Sequence, residues 1–392
     1  MQKKTYLCSK LRKYDGELWC YKRVFQSLNK KKMAEKTKIE KYKKSDSQSD
    51  YEKRTFVSPI LKLVPKAESG RQRKITLPKY ISFTLQKDKK KLLLNIEEQI
   101  GICKGKEVVL NATCNNMQTD NAAFEGWAIC LKAWFPKDIE TVKLSWDIPH
   151  DIKADDNRWC HYRRFVYRVL RFSEQYKWFD VSEKNRSEIY KFKQELKELK
   201  NNNFKEVPKP KVNNNRLDET TVEYILSTTL SDDVKRQFNL DFIDRQFPVG
   251  VKSGGKKFFT SNKSAIDLWG SKDNVLTIIE LKYIPKGSKN KNIKVGIISE
   301  LFMYSCIMRD ILSGFICRPE QTPNKNEKTF YQQIDKYKNI KACMLANEYH
   351  PLVENDSVIE ILNDYLKVNN QISVDFKKSR YSLDSENKIN FL

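Results

Sequence analysis

Histidine is nearly absent from this 392-residue chain: His150, His161 and His350 are the whole supply. The nine cysteines stand apart, with no Cys-x-x-Cys among them, so the clustered ligands of a zinc ribbon or finger are missing. Cys306, Cys317 and Cys343 fall in apolar segments and are expected as buried, reduced thiols. No apolar run reaches the ~20 residues that a membrane-crossing helix needs. The opening "MQKKTYLCSKLRKYDGELWCYKR" lacks the apolar core of a secretory signal. A cytoplasmic protein with no membrane partner is therefore expected. No Walker A motif occurs, so the chain carries no phosphate-loop motor.

Negative charge is the other scarcity. Asp and Glu number 50 against 74 Lys and Arg, for a formal charge of +24. A chain this basic suits a polyanion, and its lysines suit phosphate. A solvated lysine-rich surface also fits. Apolar residues make up only 39%, yet 20 Phe, 18 Tyr and 7 Trp supply enough bulk for substantial cores in two or three domains.

Residues 1–54 are lysine-dominated and read as a basic flexible arm. Residues 55–200 read as β-rich and then helical. "KYISFTLQ", "KKLLLNIEEQIGI", "KEVVLNATC" and "TVKLSWDI" have strand texture, while "AAFEGWAICLKAWF" fits strand or helix. Asp120, Glu125 and Asp147 sit among ordinary turn residues, and Lys89, Lys90, Lys91 and Trp134 are available for target recognition or simply for packing and solvation. In "RWCHYRRFVYRVLRFSEQYKWF", Trp159, Phe165, Val166, Val169, Leu170 and Phe172 form a broad apolar side. Arg163, Arg164, Arg168 and Arg171 interrupt it. Arginines among aromatics suit phosphates and stacked bases, and equally suit a packing helix with snorkelling side chains. The segment "NNNFKEVPKPKVNNN" (201–215) reads as a linker, because Pro208 and Pro210 disfavour helix and strand ladder alike.

The C-terminal part, 216–392, holds the most informative stretch. Asp218 is an N-cap for a helix carrying Glu219 and Glu223. "SAIDLWGSKDNVLTIIELKY" (264–283) reads as strand, turn, strand, and "NIKVGIISELFMYSCIMRDI" (292–311) as an apolar helix. Side chains alternate along a strand, so Glu280 and Lys282 share one face. With a turn over Lys272 to Val275, Ser271 faces Leu276, Trp269 faces Ile278 and Asp267 faces Glu280. Buried charges in such a pattern need a partner or a metal.

Asp267, then Glu280-Leu281-Lys282, then a helix, resembles the PD-(D/E)xK nuclease superfamily, with Ile266 where the pattern has proline. Glu300 and Tyr304 are similar to the Gln-x-x-x-Tyr motif of its RecB-like branch, with glutamate in place of glutamine. The resemblance spans residues 216 to 350. It implies an α/β fold: a mixed-sheet, restriction-endonuclease-like C-terminal domain beside a β-rich and helical N-terminal region. It implies Mg²⁺, or Mn²⁺, held by Asp267, Glu280 and the Leu281 carbonyl, with Lys282 orienting the attacking water. Glu223, Glu300 and Tyr304 would support the site, although Glu223 also reads as a solvated glutamate. The implied activity is cleavage of DNA, as a restriction or phage-defence endonuclease, with RNA and pairing of two copies left open. Alternatives are a non-catalytic nucleic-acid-binding protein and a repair or recombination nuclease acting on ends or junctions. Besides Arg163, Arg164 and Arg168, the residues expected to touch nucleic acid are Lys286, Lys289 and Lys291, in a polar loop after the catalytic strand.

Overall fold

A computed structural model describes residues 55–56, 75–76, 81–85, 106–112, 119, 122–134, 136, 139–150, 157–202, 217–254, 256–259, 264–285, 295–319, 322, 325–350, 352–365, 372–384 and 388–392. The arm at 1–54, most of the linker, Lys89, Lys90, Lys91, Lys286, Lys289 and Lys291 lie outside the described residues.

The fold is mixed α/β, with eight helices among the described residues. The first part runs β1 (Thr55–Phe56), β2 (Ile75–Thr76), β3 (Ile81–Leu85), β4 (Lys106–Ala112), α1 (Phe124–Trp134) and β5 (Ile139–Trp146). It continues with α2 (Asn157–Gln175), β6 (Phe179–Val181), α3 (Glu183–Glu195) and β7 (Leu199–Asn202). The second part opens with α4 (Glu219–Ser227), α5 (Ser231–Phe238), β8 (Phe242–Pro248), β9 (Gly250–Ser253) and β10 (Lys256–Lys257). Then come β11 (Ala265–Lys272), β12 (Val275–Lys282), α6 (Gly296–Leu312), α7 (Lys325–Gln332), β13 (Asn339–Ala346), α8 (Ser357–Asn363), β14 (Ser373–Leu383) and β15 (Ile389–Phe391).

The main sheet has the order β15-β14-β13-β12-β11-β8. β12, β13 and β14 are parallel neighbours, and the other pairs are antiparallel. Parallel strands need crossovers that cover them, and α6, α7 and α8 lie in those connections. The β11–β12 hairpin closes through Asp273 and Asn274, with Asp273 at φ 52, a conformation Asp tolerates. Gly270 lets β8 approach: a Cβ there would meet the Phe242 carbonyl oxygen at 2.3 Å. β4, β5 and β6 form a second, mostly parallel sheet with β3 at its edge.

Residues of both 55–200 and 216–392 enter one buried cluster. Leu110, Trp127 and Phe165 belong to the same buried cluster as Ile278, Phe302 and Met344. The cause is α6, which is apolar on nearly every side and therefore needs cover on every side. α1 crosses α6 so closely that a Cβ on Gly126 would meet the Val295 carbonyl at 2.6 Å, and Gly126 N–H donates to Ser299 Oγ. Asn201 and Asn202, expected in the linker, pair with Val251 and Gly250. The ambiguous "AAFEGWAICLKAWF" is a helix from Phe124.

Burial corrects three further expectations. Arg168 is fully buried, with Nε 2.7 Å from Glu125 Oε1 and Nη2 bonded to Glu125 Oε2, so it does not face nucleic acid. Glu125 is accordingly a buried ion-pair partner and no turn residue. Arg164 is buried as well, donating to Ser264 Oγ at 3.1 Å, while Arg163 is partly exposed and pairs with Glu195. Both inward arginines project from the aromatic side of α2, where the core closes over them. Trp134 donates to the Leu352 carbonyl and packs against the core. Cys306 and Cys343 are buried thiols, but Cys317 is exposed beyond the end of α6.

Glu327 on α7 supplies a pH-dependent term. It is buried, and its Oε2 lacks a hydrogen-bond partner. Burial, aided by the charge of Asp244, pushes its pKa up to about 7. The folded state thus binds a proton that the unfolded state releases near the ordinary carboxylate pKa. Its favourable contribution is full below about pH 4.5 and is lost as pH rises through 7. Glu327→Gln is expected to leave the melting temperature unchanged at pH 5 and raise it at pH 8. A melting difference independent of pH would contradict this assignment.

Candidate active site

The hairpin register is the one that alternation and a short turn predict: Ser271 pairs with Leu276, Trp269 with Ile278 and Leu268 with Ile279. The ladder ends there, one step before Asp267 and Glu280. On the other side of β11, Ile266 pairs with Phe247 and Leu268 with Arg245, while Asp267 and the intervening Gln246 are unpaired. Gln246 has φ 58, a left-handed conformation costly for a residue that carries a Cβ. The sheet therefore opens at Asp267, whose Oδ2 accepts the Leu281 N–H at 2.8 Å. Backbone alternation puts Glu280 and Lys282 on the face of β12 that turns toward α6, with Leu276 and Ile278.

Lys282 lies at the centre. Its Nζ is 2.6 Å from Glu280 Oε1, 3.0 Å from Glu300 Oε2 and 3.5 Å from Glu219 Oε1. Burial opposes the ammonium charge, but Glu280, Glu300, Asp267 and Glu219 outweigh it and hold the pKa well above the ordinary lysine value. That shift favours the charged form of Lys282, which suits a hydrogen-bond donor rather than a base. The end of its strand is clamped: Asn347 exchanges two 2.8 Å hydrogen bonds with the backbone of Ile284, and Tyr381 OH donates to the Lys282 carbonyl.

The two carboxylates are shifted upward as well, which for them disfavours the charged form. Burial pushes Asp267 well above its ordinary range, against the pull of Lys282 and with added repulsion from Glu223 and Glu219. Burial also pushes up Glu280, reinforced by the charges of Asp267 and Glu300. Glu280 Oε2 is buried and has no hydrogen-bond partner. Tyr304, one turn beyond Glu300 on α6, stays a neutral phenol because burial and the charges of Glu280, Glu300 and Asp267 raise its pKa.

Some of the expected roles are redistributed. Glu223 is buried against the site, but its carboxylate is taken by Arg245 at 3.1 Å and Gln246 at 2.6 Å. Burial pushes its pKa up to about 7 even so. Glu219, one turn earlier, reaches Lys282 and the Tyr283 N–H instead. The Asp218 side chain caps α4 at its start by accepting the Thr221 N–H at 2.7 Å. Arg164 comes from the distant α2 and lies within electrostatic reach of Tyr304 and Glu300. Neither Arg164 nor Arg245 and Gln246 has a local signal that foretells its place here.

Among the described residues, no group of three or more His, Cys, Asp or Glu side chains is arranged as a metal centre. The donors at the open strand end are two carboxylates, Asp267 and Glu280, with the Leu281 carbonyl beside them. A buried carboxylate oxygen without a partner next to a second raised carboxyl fits a cation that takes oxygen ligands and keeps waters, as Mg²⁺ does. No protein-family model, curated protein or solved structure matches the chain. Among the described residues no helix is long and apolar enough to cross a membrane.

Proposed function

We propose that the chain is a divalent-cation-dependent nuclease that hydrolyses phosphodiester bonds of DNA, built on the restriction-endonuclease-like PD-(D/E)xK plan. One observation carries the reading: the β11–β12 ladder opens beside Asp267 and Glu280, whose charges act on each other, with Glu280 Oε2 buried and unpartnered and the Lys282 ammonium against the same carboxylate. Asp267, Glu280 and the Leu281 carbonyl would hold Mg²⁺ or Mn²⁺, which supplies neutralisation of phosphate charge and a more acidic water. Lys282 would donate to the attacking water or to a phosphate oxygen as the new P–O bond forms and the P–O bond to the leaving sugar oxygen breaks. Glu300 and Glu219 hold that ammonium in place, and Tyr304 offers a neutral O–H donor. An acidic pocket would repel DNA unaided, which supports a requirement for a bound cation.

A second reading has its own support. Lys282 already has three carboxylate neighbours, which also suits a structural ion-pair network in a DNA-binding protein. Incubation of the purified chain with linear DNA, circular DNA and RNA separates the two. Cleavage with Mg²⁺ or Mn²⁺ that stops in EDTA is the expected result, and cutting of circles would mark internal cleavage. Binding of DNA and RNA without cleavage in either metal favours the structural network.

A further inference from the structure

Beyond the site, the small sheet of β7, β9 and β10 carries a feature that a fold alone does not require. In its register Lys257 stands directly opposite Lys252, and Lys252 directly opposite Lys200. Residues opposed across a ladder share a face, so three ammonium groups project from one face over three adjacent strands. Val251 and Leu199, on the other face, are buried in the core. The lysine face is therefore the outward one, with Lys200 and Lys257 exposed and Lys252 half-buried.

Directly opposed like charges destabilise a ladder, and here the opposition occurs twice. Neither Lys252 nor Lys257 has a carboxylate partner among the described residues, and exposed Lys256 adds a fourth charge at the sheet edge. Next along the chain, Phe258 lies beneath the guanidinium of Arg163, 4.6 Å from the ring centroid. The ladder is also tied to the candidate site. Asn201 Nδ2 donates to the carbonyls of Pro248 and Gly250. Lys252 lies six positions after Gln246, the unpaired neighbour of Asp267, a reach of at most about 20 Å.

We propose that Lys200, Lys252 and Lys257 form a phosphate-binding surface that holds the DNA backbone beside the cleavage site; the identity of the substrate rests on the nuclease reading. Strands about 4.8 Å apart spread the three ammonium groups over about 10 Å. That length matches about three nucleotides at 3.4 Å of axial rise per strand. Lysine acts as a point charge on phosphate, so the surface positions DNA without reading its bases. Its occupation would also relieve the repulsion within the ladder.

The test uses the full chain with Lys200→Thr, Lys252→Thr and Lys257→Thr combined, since Thr keeps strand propensity. Affinity for a DNA duplex is measured in EDTA over a range of KCl, so that no cleavage occurs. The triple variant is expected to bind at least about tenfold more weakly at 0.1 M salt, with a log–log salt slope shallower by about 2 to 3. It should melt no lower than wild type, and the triple Lys→Arg variant should keep the wild-type slope. An unchanged slope in a folded triple Thr variant overturns the proposal, as does a loss confined to RNA. Cleavage is scored separately: a slope change in a protein that never cuts DNA leaves the ladder standing and removes the nuclease.

Discussion

Lys282→Ala is expected to abolish cleavage while DNA affinity stays within about twofold of wild type. Positive charge is spread over 74 Lys and Arg side chains, so one ammonium should matter little to DNA binding. Under the proposed nuclease reading, the same ammonium at the scissile phosphate would stabilise charge that grows only toward the transition state. A preorganised donor there is worth about 3 kcal/mol or more, a rate loss above about 100-fold. Glu280→Ala should also stop cleavage, and raised Mg²⁺ should restore part of it, whereas no metal concentration should rescue Lys282→Ala. Thermal melts of both variants must show a folded protein, because each change disturbs a network of buried charge. Equal cutting by wild type and Lys282→Ala would place the chemistry elsewhere.

Arg168→Met is expected to cost about 3–5 kcal/mol of stability in denaturant unfolding, among the largest single-residue effects in the molecule. Neither Arg168 nor Glu125 has measurable exposure, so removal of the guanidinium strands a carboxylate between α1, α2 and α6. Burial already pushes the Glu125 pKa up, and Arg168 supplies the opposing charge and hydrogen bonds. The Ala122 carbonyl loses its 2.8 Å partner as well. The double change Glu125→Leu with Arg168→Met should recover most of the loss, because an apolar pair of similar volume leaves no buried charge. A single variant within about 1 kcal/mol of wild type would show that water reaches the pair. Since Ser299 hydrogen-bonds near this pair and Glu300 follows it, the single variant should also lower any cleavage rate through α6.

Much of the site was legible because its geometry is local. A two-residue turn between strands of alternating character leaves one register that buries Leu268, Ile279 and Leu281 together, and that register carries Asp267 toward Glu280. The Asp218 cap and the apolar α6 are equally local signals. The arginines of α2 were not legible in this way. An amphipathic period says which residues share a side, and it says nothing of what covers that side. Arg168 met Glu125 across 43 positions and became a buried pair rather than a contact for DNA.

Local pattern is enough to specify the strand-turn-strand-helix unit and its four polar intruders, Asp267, Glu280, Lys282 and Glu300. Short-range sterics and period-two alternation suffice for that. Tertiary structure alone decided that Glu219 rather than Glu223 reaches Lys282, and that Gln246 leaves the ladder opposite Asp267. It alone stacked Lys200, Lys252 and Lys257, and joined both halves of the chain around α6. Each of these rests on pairing between segments remote in sequence. Such pairing is chosen by which apolar faces can be covered together, and no local pattern encodes it.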